Sequence, residues 1–155
     1  MFHSSKCAAV LGMLLLSAGA LAQSATSNSY DINLNSQGTV NQCSIGEPVA
    51  LSGVVHVSYS VNTDSSNVNH FSITAANNLT GVGQKTGTSY VANDSGDYTS
   101  NNTDPSADLT VELKSDLQSQ GSAPVMTLVQ GLHIVVDTMG NITAQVVSNP
   151  TNCGN

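Results

Sequence analysis

Positive charge is almost missing from this sequence. Lys6, Lys85 and Lys114 are its only lysines, and arginine does not occur. Ten carboxylates oppose them (Asp31, Glu47, Asp64, Asp94, Asp97, Asp104, Asp108, Glu112, Asp116 and Asp137), and the formal net charge is −7 over 155 residues. Nucleic-acid binding requires lysine and arginine to neutralise phosphates, so no nucleic-acid partner is expected. Binding to anionic lipid surfaces is excluded on the same ground. Charge of either sign is scarce, at 8% of residues, and Ser, Thr, Asn and Gln carry most of the polarity. Exported β-proteins commonly have this balance.

Catalytic motifs are missing too. The sequence has no Gly-x-Ser-x-Gly elbow, no His-Glu-x-x-His and no cysteine placed with a histidine base. The segment Gly81-Val-Gly83-Gln-Lys-Thr-Gly87 is glycine-rich. A phosphate cradle, however, needs a following helix and a Gly-Lys-Ser/Thr ending, and the sequence has neither. Glu47 stands as a lone acid, and Pro48 beside it marks a strand entry or turn. The reading therefore leans away from an enzyme, with no catalytic residue and no cofactor expected. Only the N-terminal stretch is strongly apolar, and the rest of the chain holds no run of about 18 apolar residues that would span a membrane.

That N-terminal stretch reads as a secretory signal peptide over residues 1–22. Lys6 supplies the positive start, Cys7 to Leu16 the apolar stretch, and Ala20 and Ala22 the small-x-small pattern that precedes a cut before Gln23. Cleavage would remove one positive charge, taking the net charge from −7 to −8. The expected location is secreted or periplasmic, with no membrane insertion after cleavage. Gln23, rather than a cysteine, follows the cut, so no lipid anchor is expected there.

Cys43 and Cys153 remain after cleavage. An even count in an exported chain favours a disulfide between them. Two isolated cysteines without Cys-x-x-Cys spacing make a poor zinc site. The bond would close a loop of about 110 residues and contribute about 4–5 kcal/mol in the chain-entropy view.

Residues 23–42 are rich in Ser and Asn and read as a flexible leader, with Tyr30, Ile32 and Leu34 alternating as a short edge strand would. Residues 43–155 read as a single β domain. From Val49 to Val61, Val49, Leu51, Gly53, Val55, Val57, Tyr59 and Val61 share one face. That period of two marks a half-buried strand. A second strand follows over Val68–Ala76, then a turn at Asn77–Gly81 and a bent, glycine-rich stretch to Val91. Asn93–Ala107 reads as a long polar loop. Alternation returns at Leu109–Leu117, at Val125–Thr138 and at Ile142–Val146, with Gly140 suited to positive φ in the turn between the last two. No helical period occurs. The pattern predicts an all-β fold, an antiparallel meander of six to seven strands closing as a small barrel, with a β-sandwich as the alternative. Pairing of the first and last strands would remove the exposed edges.

The run Cys43-Ser-Ile-Gly-Glu47-Pro48-Val49, the run Gly81-Val-Gly83-Gln-Lys-Thr86-Gly87-Thr-Ser-Tyr90, and then Gly121, Pro124, His133, Gly140 and Cys153 stand together over residues 43–153. In these the chain resembles a group of small secreted bacterial β-rich proteins that carry a signal peptide and have no assigned biochemical role. The resemblance implies the fold and export, and no activity.

His56, His70 and His133 each fall on the less apolar face of a strand. A hairpin turning near Asp64 would set His56 diagonally near His70, and His133 could complete a zinc or copper trio. Separate polar residues on a sheet surface are the simpler expectation. Asp94, Asp97, Asp104 and Asp108 surround one stretch that could offer oxygens to calcium, but the spacing is not that of an EF-hand. Two functions remain: an exported non-enzymatic barrel that binds a small or hydrophobic ligand, and a structural or surface-interaction (adhesin-like) subunit that self-associates or pairs through a sheet edge.

Overall fold

A computed structural model describes residues 26–43 and 46–153. The expected signal peptide lies outside the described residues. Nine strands run in order: β1 (Thr26–Asn41), β2 (Glu47–Thr63), β3 (Asn69–Gly83), β4 (Ser89–Ala92), β5 (Ser95–Asn102), β6 (Ala107–Ser119), β7 (Met126–Val136), β8 (Ile142–Ser148) and β9 (Thr151–Cys153). Every pairing is antiparallel, along the path β1-β2-β3-β4-β6-β7-β8, with β5 on β3 and β9 on β7.

The alternation seen in the sequence determines which side of each strand is buried. Val49, Leu51, Val55, Val57 and Tyr59 of β2 meet Phe71, Ile73, Ala75 and Leu79 of β3 on one buried face. Leu113 and Leu117 of β6, Leu128, Leu132 and Ile134 of β7, and Ile142 of β8 form the other. All belong to one apolar cluster. Each such side chain contributes about 1.5–3 kcal/mol when fully buried. Gly53 is the break in the β2 pattern. Its φ is +135°, and a Cβ there would run into the carbonyl oxygen of Asn78 on the paired strand, so only glycine allows this close approach.

Three expectations are corrected. The flexible leader is instead strand β1 from Thr26 onward, paired with β2 over nearly its full length with a bulge between Leu34 and Gln37. The polar loop at Asn93–Ala107 contains β5, paired with β3 from Asn69 to Ala76. The turn at Asn77–Gly81 is the second half of β3, where Leu79 is buried and the backbone pairs with both β2 and β4. These segments have few apolar residues because each exposes one face, and ladder bonds to longer neighbours hold them in place.

The sheet does not close into a barrel. Among the described residues no ladder joins β1 to β8, although the two run close together. Side chains instead tie β1 to the residues on either side of β8 and to β9. Asn28 Nδ2 donates to Gly140 O at 3.2 Å, Thr39 Oγ1 to Asn149 O at 2.5 Å, and Thr151 Oγ1 to Val40 O. The Cys43–Cys153 disulfide forms, joining residues 110 apart with a Cα–Cα distance of 5.1 Å. It ties the chain just after β1 to β9, and β9 pairs with β7 rather than with β1.

Candidate functional site

The three histidines do not meet. The register pairs His56 with Ala76 and His70 with Asn62, so on the β2–β3 ladder they stand six positions apart, about 20 Å. Ser58 faces Thr74 rather than His70, which undoes the diagonal contact expected from the sequence. His133 is on β7, in the other half of the sheet. Among the described residues no three His, Cys, Asp or Glu side chains are grouped as a metal would need.

Each of these three histidines has its own aspartate. His56 Nδ1 lies 2.5 Å from Asp31 Oδ1, directly across from β1. His70 Nε2 lies 2.9 Å from Asp64 Oδ2, and its Nδ1 lies 2.8 Å from Asn101 Oδ1. The hydrogen bond to Asp64 foremost, then that to Asn101, raises the His70 pKa above its usual value. Asp64 is held below the usual carboxylate range by the same bond and by the Val68 and Ser66 amides. His133 Nε2 lies 2.8 Å from Asp108 Oδ1. These three partnerships join strands or brace a turn. The sequence offered no sign of them, because partner choice depends on register.

Of the four aspartates considered for calcium, Asp104 and Asp108 border one depression, and Asp94, Asp97 and Asp108 each have a separate partner. Asp97 accepts from Thr74 Oγ1, and Asp108 is with His133. Asp94 Oδ2 accepts from the Asp116 amide.

The Gly-Glu-Pro and Gly-x-Gly-x-x-Thr-Gly runs form one joint. Glu47 is 2% exposed, and its Oε1 accepts from the Thr86 amide at 2.6 Å and the Lys85 amide at 3.0 Å. Thr86 Oγ1 donates to Oε2 at 3.1 Å. The Thr86 amide foremost holds the Glu47 pKa below its ordinary value, against the opposing effect of desolvation. A Cβ on Gly83 would fall 2.5 Å from Glu47 Oε1, so the carboxylate occupies the space glycine leaves. Nearby, buried Asn41 donates from Nδ2 to Tyr90 OH and accepts the Cys43 amide. Together they make a latch in which the buried Glu47 and Asn41 side chains are engaged inside the chain.

A second buried network crosses the core. Asn77 Nδ2 donates to Ser115 Oγ at 2.5 Å and to Gln130 Oε1 at 2.8 Å, and Gln130 Nε2 reaches Asn149 Oδ1 at 3.2 Å. Asn77 Oδ1 accepts the Asp94 amide. No buried side-chain polar atom among the described residues is left without a partner. The network fixes how β3 sits against β6 and β7.

The exterior offers more. On the outer face of β1, β2, β3 and β5 the register aligns polar residues in rows. Ser27, Ser60, Ser72 and Thr99 form one row, and Ser29, Ser58, Thr74 and Asp97 the next. A shallow depression of about 590 Å³ runs over the β1–β3 part of this face beside His56. Around the other side of β1, at its seam with β8, lies a groove of about 420 Å³. At the end of the core, a cup of about 140 Å³ opens between Tyr59, Phe71, Val136 and Met139. No protein-family model, no curated protein and no solved structure matches this chain.

Proposed function

We propose that the domain is an exported, non-enzymatic surface-interaction module, working through the outside of its sheet. The observation that carries this reading is the row-aligned hydroxyl face of β1, β2, β3 and β5, where serines and threonines stand across four strands with Asp97 at the end of one row and the Asp31–His56 pair beside them. Such a face suits a neutral, hydrogen-bonding partner surface. The filled core supports the same reading, since Leu51, Phe71, Leu117, Met126, Leu128 and Ile134 occupy the volume an interior ligand would need. The open strand path favours a sandwich-like arrangement over the barrel. The disulfide, the leader pattern and the resemblance to small secreted β-rich proteins fit a secreted or periplasmic location.

The test is co-sedimentation of the purified mature domain with washed envelopes and with extracellular matrix of the producing organism. A Ser60→Lys/Thr74→Lys variant should keep its far-ultraviolet spectrum and lose retention. Retention unchanged in that variant would contradict the reading. Sedimentation velocity on the free protein separates a foreign surface from a second copy of the chain as the partner.

The small-ligand reading keeps one observation in its favour, the cup at Tyr59, Phe71, Val136 and Met139, where Met139 is 81% exposed. At about 140 Å³ the cup is well below the usual size of a small-molecule site, about 300–1,000 Å³. An apolar molecule that co-purifies with the protein, and is lost on Phe71→Ala, would support it.

A further inference from the structure

We infer that the seam groove between β1 and β8 is a binding site for a neutral saccharide. The inference rests on the surface-interaction reading and names a ligand class for a second, concave part of that surface.

The groove is lined by Tyr30 from β1, by His133 and Val135 from β7, and by Thr143, Ala144 and Gln145 from β8. Its volume of about 420 Å³ falls within the range of small-ligand clefts. Alternation along β1 places Asp31 on the outer face with His56, so Tyr30 leaves the strand on the opposite side. From there it borders His133, Val135, Thr143 and Gln145, which alternate with the buried residues of β7 and β8 and so belong to the outer face of that half. The tyrosine therefore reaches around the edge of β8. It stays 39% exposed, as one of the few large apolar side chains the fold leaves outside.

The lining chemistry selects the ligand. An exposed aromatic ring beside amide, imidazole and hydroxyl groups suits a molecule with one apolar face and a rim of hydroxyls, which describes a pyranose ring. The imidazole is held in place: Nε2 lies 2.8 Å from Asp108 Oδ1, and Nδ1 lies 3.5 Å from Gln145 Nε2. With Nε2 donating to Asp108, Nδ1 accepts from the amide, which leaves Gln145 Oε1 and Thr143 Oγ1 to bond sugar hydroxyls. No lysine or arginine lines the groove, and Asp108 is close by, so an anionic sugar or a phosphate is disfavoured. The groove lies along a seam with no ladder between β1 and β8 among the described residues, and the bonds of Asn28 and Thr39 fall on Gly140 and Asn149, on either side of β8.

The test is a ¹H–¹⁵N titration of the mature, oxidised domain with maltose, cellobiose and N,N′-diacetylchitobiose, and with glucuronate as the charged control. At least one neutral disaccharide should give saturable shifts centred on Tyr30, His133 and Thr143–Gln145, and glucuronate should not. Tyr30→Ala should weaken binding by about fivefold or more, and Gln145→Ala should do so without touching the β1 backbone. Ser60→Lys/Thr74→Lys should leave this binding unchanged, which separates the groove from the hydroxyl face. Absence of shifts with every neutral disaccharide at tens of millimolar, or shifts centred elsewhere, would overturn the inference while leaving the co-sedimentation result to stand or fall by itself.

Discussion

The Tyr59 hydroxyl donates to the Gly140 carbonyl at 2.7 Å, and so fastens β2 to the turn between β7 and β8. Gly140, at φ +82° as the turn sequence suggested, also accepts from Asn28 at 3.2 Å. One carbonyl thus gathers β1, β2 and the β7–β8 turn. Tyr59→Phe removes one of its donors and keeps the ring packed against Phe71, 6.2 Å away between centroids. The expected loss is about 1 kcal/mol. Urea unfolding should show a lower midpoint with an unchanged slope. An unchanged midpoint would mean that the bond adds nothing to the joint.

Gly53→Ala tests the close approach of β2 to β3. The new methyl would meet the Asn78 carbonyl, and alanine disfavours a φ of +135°. A loss of about 2–4 kcal/mol is expected by the same urea measurement, from strain and displacement together. Little or no loss would show that β2 and β3 do not approach as closely as described.

The latch at Glu47 should appear in acid. Its folded pKa is lowered, so its stabilising contribution is complete above the unfolded carboxyl value and disappears as pH falls through the folded one. Between pH 7 and the unfolded value, near pH 4.5, Glu47→Gln should melt several degrees lower than wild type. Below that the two melting curves should converge. A constant gap down to the lowest pH would argue that the Thr86 and Lys85 amides do not depend on the carboxylate charge.

His70 moves stability the other way. Its folded pKa is raised, so the contribution is complete below the unfolded value of about 6.5 and is lost as pH rises through the folded one. Histidine resonances should show His70 titrating above 6.5. Asp64→Asn should return the midpoint towards that value and loosen the turn at Ser66 and Val68, whose amides Asp64 accepts. A His70 midpoint unmoved by Asp64→Asn would contradict the pairing.

The sequence already showed the strands that bury apolar residues at every second position. Val49 to Tyr59 and Leu132 to Val136 declare their faces through alternation, and the disulfide follows from the cysteine count and the expected compartment. Strand β5 could not be read this way. Its half-buried positions hold Gly96, Tyr98, Ser100 and Asn102, which carry almost no apolar signal, and pairing with β3 makes it a strand. In β1 the alternation at Tyr30, Ile32 and Leu34 was visible but its length was not, because Thr39 and Asn41 are buried polar residues held by Asn149 and Tyr90. The His–Asp pairs depend on register, and the seam groove on how two sheet edges pass each other. Neither leaves a trace in local sequence.

The most direct test of an exported, disulfide-closed domain that acts from its exterior is a native mass spectrum of the protein recovered from an oxidising compartment. The expected mass is that of residues 23–155 with Cys43 joined to Cys153 and no retained apolar molecule. Free thiols would contradict the closure, an uncut leader the export, and a tightly held hydrophobic ligand the assignment of function to the outer surface.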